Sequence, residues 1–254
     1  MADQGEIERI DDRFKELYEN IKEKVGPKND NPPLREFFNQ TAEVWDEKFG
    51  RNAASFYAGV AANIRETNER IEILYLGCGT GMQLASVFLR APNARITGID
   101  LADVAMERLK GKYPERINQI ELIQGNYLNV PFGERVFDYA TSTLTMHHLP
   151  PDSKVVVYRN VLKALKTGGC YIEGDQCALE ESAKRGLDFY EEHIKPLPDG
   201  DRAGWNYDIT LTASMNARSL VEAGFTTFSL PRKRVKGCNT ILVAWGPPAG
   251  STEL

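Results

Sequence analysis

The sequence predicts an α/β fold, with a mostly parallel sheet wound by helices on both faces. Three observations carry this. Short apolar runs alternate with helix-length stretches from Ile71 onward. The first run ends in a glycine-rich turn, Leu76-Gly77-Cys78-Gly79-Thr80-Gly81. The last two runs are joined only by a short link around Gly237, which permits nothing but an antiparallel pair. Apolar runs buried on both faces and joined by helices are the pattern of a covered parallel sheet.

Seven strands are expected: Ile71–Leu76, Arg95–Ile99, Gln119–Ile123, Phe137–Thr141, Gly169–Gly174, Thr226–Leu230 and Thr240–Trp245. Helices are expected between them over Gly81–Arg90, Val104–Tyr113, Ser153–Lys166 and Thr212–Ala223. Ahead of the sheet, Ile7, Ile10, Phe14, Leu17 and Ile21 recur at helical spacing. Gly26-Pro27 and Asn31-Pro32-Pro33 break that helix. Two more helices are expected, from Leu34 to about Lys48 and from Ala53 to Thr67. The division drawn is an N-terminal helical cap or lid over 1–52, and a ligand-binding α/β domain over 53–254.

Composition narrows the function. The chain has 254 residues, 42% of them hydrophobic and 26% charged, as in ordinary globular proteins. Its net charge of −5 argues against a nucleic-acid partner, and the short basic cluster Arg232, Lys233, Arg234 and Lys236 reads as a solvated edge. The four cysteines form no CxxC pair, and His147, His148 and His193 complete no zinc spacing, so no metal site is expected. The start, Met1-Ala2-Asp3-Gln4-Gly5-Glu6, has neither a basic cluster nor an apolar run, so no signal peptide is expected. Without about 18 consecutive apolar residues, no membrane span is expected either. The expected setting is the cytoplasm, with free thiols, as a monomer or homodimer.

The chemistry begins at the glycine turn. A strand running through such a turn into a helix lets backbone approach a ligand closely and offers free N–H groups. About twenty residues on, the next strand ends in Gly98-Ile99-Asp100-Leu101, where a carboxylate can accept from both hydroxyls of a ribose. Together these mark an adenosine-containing ligand on a Rossmann-like sheet. The glycine spacing is GxGxG, and Met82 stands where a dinucleotide turn requires its third glycine. This disfavours a nicotinamide dehydrogenase.

The chain resembles the class I S-adenosylmethionine-dependent methyltransferases, and among them the small-molecule group. The resemblance spans about 37–174. It rests on Phe38-Asn39-Gln40-Thr41-Ala42-Glu43-Val44-Trp45-Asp46, the glycine turn, Gly98-Ile99-Asp100, Gly125-Asn126-Tyr127, Phe137-Asp138-Tyr139-Ala140, Met146-His147-His148-Leu149 and Leu165-Lys166-Thr167-Gly168-Gly169. It implies a seven-stranded sheet with an antiparallel last strand, S-adenosyl-L-methionine as methyl donor and S-adenosyl-L-homocysteine as product. By the same resemblance Gly77, Cys78, Gly79 and Gly81 form the cofactor turn, although Cys78 also reads as a small space-filler. Asp100 holds the ribose and Leu101 lines the adenine. Asn126 stands where the family usually has an acidic contact to the adenine amino group. Tyr127 packs beside the ring, Ser142 faces the methionine arm, and Trp45 lies on a helix folded over the cofactor.

On the acceptor side, His147 follows the fourth strand at the ligand-binding edge of the sheet, where an imidazole can take a proton from a hydroxyl or amine. Asp175 ends the fifth strand and is the candidate to orient His147 or hold a substrate amine. His148 is expected to point elsewhere. Tyr207-Asp208, in a polar stretch before the last helix, is a candidate substrate element, with Tyr207 as the substrate contact. The reaction expected is methyl transfer to a small molecule. An RNA or protein methyltransferase is the alternative within the class, although no Asn-Pro-Pro-Tyr-like element follows the fourth strand. A non-catalytic cofactor-binding scaffold or sensor is the alternative outside it.

Overall fold

The computed structural model describes residues 34–196, 208–229 and 239–248. The expected helix at 5–24, the Gly26–Pro33 hinge, Tyr207, the basic cluster and the Gly237 link lie outside the described residues. The strands are β1 (Glu72–Leu76), β2 (Arg95–Asp100), β3 (Ile120–Gln124), β4 (Phe137–Thr143), β5 (Leu165–Gln176), β6 (Thr227–Ser229) and β7 (Asn239–Trp245). The helices are α1 (Leu34–Ala61), α2 (Leu84–Arg90), α3 (Asp103–Lys112), α4 (Pro151–Ala164), α5 (Glu180–Phe189) and α6 (Ala213–Glu222).

The sheet order is β3-β2-β1-β4-β5-β7-β6. β1 to β5 pair in parallel, and β7 runs antiparallel to both β5 and β6. This is the seven-stranded, doubly wound sheet with an antiparallel last strand that the sequence predicts. The strand order reverses between β1 and β4, and ligand crevices open at that kind of switch point, beyond the carboxyl ends of the strands.

Side-chain alternation divides the core into two layers. Ile73 and Tyr75 pack with Phe56, Val60, Phe88 and Leu109 on one face. Leu74 and Leu76 pack with Tyr158, Val161, Tyr171 and Phe225 on the other. Pro151 opens α4 at a position where no backbone N–H is needed. Thr212 caps α6 by accepting from the Met215 amide at 3.1 Å. No helix among the described residues is long and apolar enough to cross a membrane.

Two expectations are corrected. α1 is one 28-residue helix, not two, so the boundary drawn at 52 falls inside it. A glycine inside a helix costs only about 1 kcal/mol, and Phe56, Tyr57, Val60 and Ala61 are all buried. The fit is close at β5, where a Cβ on Gly174 would lie 2.3 Å from Val60 Cγ2. The helix ends at Ala61, and the Asn63 amide donates to the Gly59 and Val60 carbonyls at 3.0 and 3.2 Å. The second correction is α5, which continues into a π-helical turn at Tyr190–Ile194 that the sequence reading left without an element. Its buried Ala183, Tyr190 and Ile194 were the available signal.

Candidate active site

A pocket opens at the carboxyl ends of β1, β2 and β4. Its floor is the glycine turn. Gly77, Gly79 and Gly81 all have positive φ, at 61°, 48° and 75°. A Cβ at Gly77 would lie 2.4 Å from Thr145 Oγ1, whereas one at Gly79 would meet nothing within 4 Å. Gly79 is therefore the point where bare backbone faces the pocket. Gly81 faces the other way, onto Leu109 and Tyr113, and is not among the lining residues. Its role is to close the turn. Cys78 is 2% exposed, and its sulfur packs over Gly98. Burial, reinforced by the Asp100 charge, pushes its thiol well above the ordinary range. It is a space-filler at the pocket wall.

Asp100 sits at the end of β2. Its Oδ2 accepts from the Gly79 amide at 2.7 Å and its Oδ1 from the Ala102 amide at 2.8 Å. Burial raises its pKa, and these backbone donors oppose the shift. One carboxylate thus fixes the glycine turn to β2, and a carboxylate has about four acceptor sites, so two such bonds leave capacity for a ligand. Leu101, Ala102 and Ala105 continue the wall.

Tyr127 also lines the pocket, with its hydroxyl 3.2 Å from Thr145 Oγ1. Asn126 does not. Its Oδ1 accepts from the Leu128 amide at 2.9 Å, so the side chain is spent on its own turn. Ser142 is displaced in the same sense. It is fully buried on the opposite face of β4, with Oγ 2.6 Å from the Tyr171 hydroxyl. Successive strand residues point to opposite faces, so its neighbour Thr143 takes the pocket side, followed by Leu144 and Thr145. Thr143 Oγ1 donates to Gln83 Oε1 at 2.8 Å. Leu144 has φ 55°, a left-handed conformation, and this bend turns the chain from β4 across the pocket.

α1 forms the roof, with Phe38, Ala42, Trp45 and Tyr57 facing the pocket. Trp45 meets the Phe38 ring edge-on at 5.6 Å. Asp46 accepts from the Thr80 hydroxyl and pairs with Lys112 at 2.7 Å. Asn39 and Arg35 donate to Asp103 at 2.9 and 3.0 Å.

The histidines exchange their expected places. Residues Met146–His148 form a 3-10 turn, not a strand extension, and His148 lines the pocket. The Phe38 ring meets it edge-on at 5.3 Å. His147 lies behind, 5% exposed. Its Nδ1 is 2.6 Å from Asp175 Oδ1, and its backbone N–H donates to Asp175 Oδ2 at 2.9 Å. An ionised carboxylate only accepts, so Nδ1 carries the proton and Nε2 points away from Asp175. Burial alone would lower the His147 pKa, but the Asp175 charge and hydrogen bond prevail and raise it. Burial would raise Asp175, but His147, with help from Lys154, holds it below the usual carboxylate range.

Asp208, which the sequence offers only as half of the Tyr207-Asp208 element, completes the group. Its Oδ1 is 3.1 Å from His148 Nδ1 and 3.8 Å from His147 Nε2. The Ile209 amide donates to the His147 carbonyl at 2.7 Å and so fixes this segment against the turn. Burial and the neighbouring His147 hold the His148 pKa down. Asp208, although burial raises it, is held below the carboxylate range by the His148 hydrogen bond.

A buried carboxylate at the end of β2, a glycine turn open at Gly79 and a switch-point pocket together form the ligand crevice of a doubly wound α/β fold. Comparison with known proteins shows what this chain is similar to. Residues 73–169 match the family model described as a methyltransferase domain. An uncharacterized methyltransferase of Synechocystis sp. is 31% identical over 100 residues, which are 39% of this chain and 44% of that protein. The 24-methylenesterol C-methyltransferase 3 of Arabidopsis thaliana is 25% identical over 159 residues, 61% of this chain and 42% of that protein. Among solved structures, an O-methyltransferase family protein from Burkholderia thailandensis superposes with a TM-score of 0.67 at 16% identity, covering 96% of this chain and 72% of that one. The chain spans less than half the length of these two curated relatives. Residues 73–169 are thus similar to a methyltransferase domain, and the chain shares the fold of the O-methyltransferase family protein.

Proposed function

We propose that the protein transfers a methyl group from S-adenosyl-L-methionine to a small-molecule acceptor, using His147, oriented by Asp175, as the proton acceptor. The observation that carries this is the convergence on one pocket of the Gly79 backbone, the Asp100 carboxylate and His148, with the His147 ring directly behind it at 4.1 Å in the same turn. The pocket suits the cofactor. Gly79 leaves room for close approach, and the walls of Leu101, Ala102 and Tyr127 are apolar where an adenine would lie. The bound cofactor supplies a methyl group on a sulfonium that is already an activated leaving group.

The chain's own work is then positioning, exclusion of water and proton removal. Asp100 and the Gly77–Gly79 backbone bind and orient the donor. Phe38, Trp45 and Tyr57 cover it. His147 takes the acceptor's proton at Nε2, with Asp175 holding the tautomer and stabilising the imidazolium. We assign residues 1–52 to a lid, of which the described part of α1 forms the roof. The acceptor is read as a small molecule because sterol C-methyltransferases stand among the relatives and the net charge of −5 disfavours a polyanion. A cytoplasmic, monomeric or homodimeric protein without nucleic-acid partners belongs to the same reading.

The test is incubation with methyl-labelled S-adenosylmethionine and a metabolite extract, followed by isolation of labelled products. A labelled small molecule that appears with the wild type and not with Asp100→Ala supports the proposal. Label found only in protein or RNA would reject it.

A further inference from the structure

The structure brings together three potential metal ligands that are scattered in the sequence. His147, His148 and Asp208 each present one ligand atom, and these atoms all lie within 4.8 Å of one another. We propose that His147 Nε2, His148 Nδ1 and the Asp208 carboxylate form a binding site for a divalent transition-metal ion of the zinc type, at the rim of the cofactor pocket. The proposal stands on this geometry and does not depend on the identity of the methyl acceptor.

Four features argue for it. Tetrahedral zinc, with ligands about 2.0–2.2 Å away, holds its ligand atoms about 3.3 Å apart. The observed separations from Asp208 Oδ1 are 3.1 Å to His148 Nδ1 and 3.8 Å to His147 Nε2. Closing the longer one needs only a small movement of Asp208, whose side chain is 58% exposed. Next, Asp175 sits where an outer carboxylate sits in a carboxylate–histidine–metal arrangement. It accepts a hydrogen bond from His147 Nδ1–H at 2.6 Å and so fixes the ring with Nε2 toward Asp208. Third, two imidazoles and one carboxylate prefer zinc, iron or nickel over magnesium or calcium. Three protein ligands also leave a coordination position open. Finally, the exposed side of Asp208 gives an entry path from solvent to two buried imidazoles.

Ion binding displaces the proton between His148 Nδ1 and Asp208, which moves to His148 Nε2 or to solvent. The ion also takes the His147 Nε2 lone pair. The metal-loaded and base-competent forms therefore exclude each other.

The experiment is calorimetric titration of the purified full chain with zinc, paralleled by the visible absorption of cobalt. It needs no methyl acceptor, so its outcome is separate from that of the functional proposal. One ion per chain is expected, with a tetrahedral cobalt spectrum. Asp208→Asn should lower zinc affinity at least tenfold, as should His148→Ala. Asp208→Asn lies at an exposed carboxylate and leaves the fold intact, as its circular dichroism should show. Asp175→Asn should weaken zinc binding by about 10- to 100-fold through loss of ring orientation. His193→Ala, on an exposed helix end, should change nothing. No stoichiometric uptake would overturn the proposal. So would a loss below tenfold in either Asp208→Asn or His148→Ala.

Discussion

Asp100 does two jobs through one side chain. Its oxygens already hold the Gly79 and Ala102 amides, so removing it loosens the turn as well as taking away the ribose partner. Asp100→Ala is expected to weaken S-adenosylmethionine binding by about 1.5–3 kcal/mol, the scale of hydrogen bonds to a charged group. Isothermal calorimetry measures this directly, and unchanged affinity would remove Asp100 from the site. His147 separates binding from chemistry. It lies behind the pocket wall against Asp175, so His147→Ala should leave cofactor affinity within about threefold. Methyl transfer in the metal-free protein should fall by about 10²-fold when the acceptor is an alcohol or amine. With a thiolate or carboxylate acceptor the loss should be small, because no proton has to be removed. Single-turnover rates with a proven alcohol acceptor decide the matter, and a wild-type rate in the variant would exclude His147 as the base.

At the scale of an element, α1 has two unlike halves. Its C-terminal half is keyed into the core by Phe56 and Val60 against Gly174. Its N-terminal half packs Ala42 and Phe38 against Ala102 and Ala105 in a small cluster of its own and adds polar contacts at the pocket rim: Asp46 to Thr80 and Lys112, Asn39 and Arg35 to Asp103. The exposed Arg35–Asp103 pair contributes about 1 kcal/mol or less, and this small cluster is separate from the core that holds Phe56 and Val60, so the roof is expected to lift without opening that core. Hydrogen exchange over 34–47 should slow when S-adenosylhomocysteine binds. In the free protein, Asp46→Asn should speed it, with less than about 1 kcal/mol lost in global stability. Strong and equal protection with and without ligand would mean that α1 is fixed and is no lid.

The whole molecule should feel the ligand, because the pocket draws on α1, the β1 turn, the end of β2 and the segment after β4 together. A ligand at a hundred times its dissociation constant adds about 2.7 kcal/mol to the folded state. At this chain length that corresponds to a rise in Tm of about 5–10 °C. Thermal unfolding with S-adenosylhomocysteine should show the rise, and a nicotinamide dinucleotide should not produce it. The reverse pattern would overturn the reading of the GxGxG turn.

The sequence by itself determined the sheet, the glycine turn and Asp100, because each is written in local order. Short apolar runs alternate with helices, and a strand–turn–helix places its ligand groups within one continuous segment. α1 was misread as two helices because Gly50 and its polar neighbours look like a break, and only packing against Gly174 decides otherwise. Ser142 and Thr143 could not be told apart from sequence, since a shift of one residue reverses every side chain of a strand. The order of the histidines followed from a 3-10 turn, whose direction no alternation rule gives. Asp208 stood out in the sequence as part of Tyr207-Asp208, but its partners were beyond reach for a deeper reason. It meets His147 and His148 only because the segment at Ile209 bonds to the His147 carbonyl across the end of the sheet. Tertiary structure alone makes that contact, since nothing in the spacing of residues so far apart in the chain encodes their distance in space.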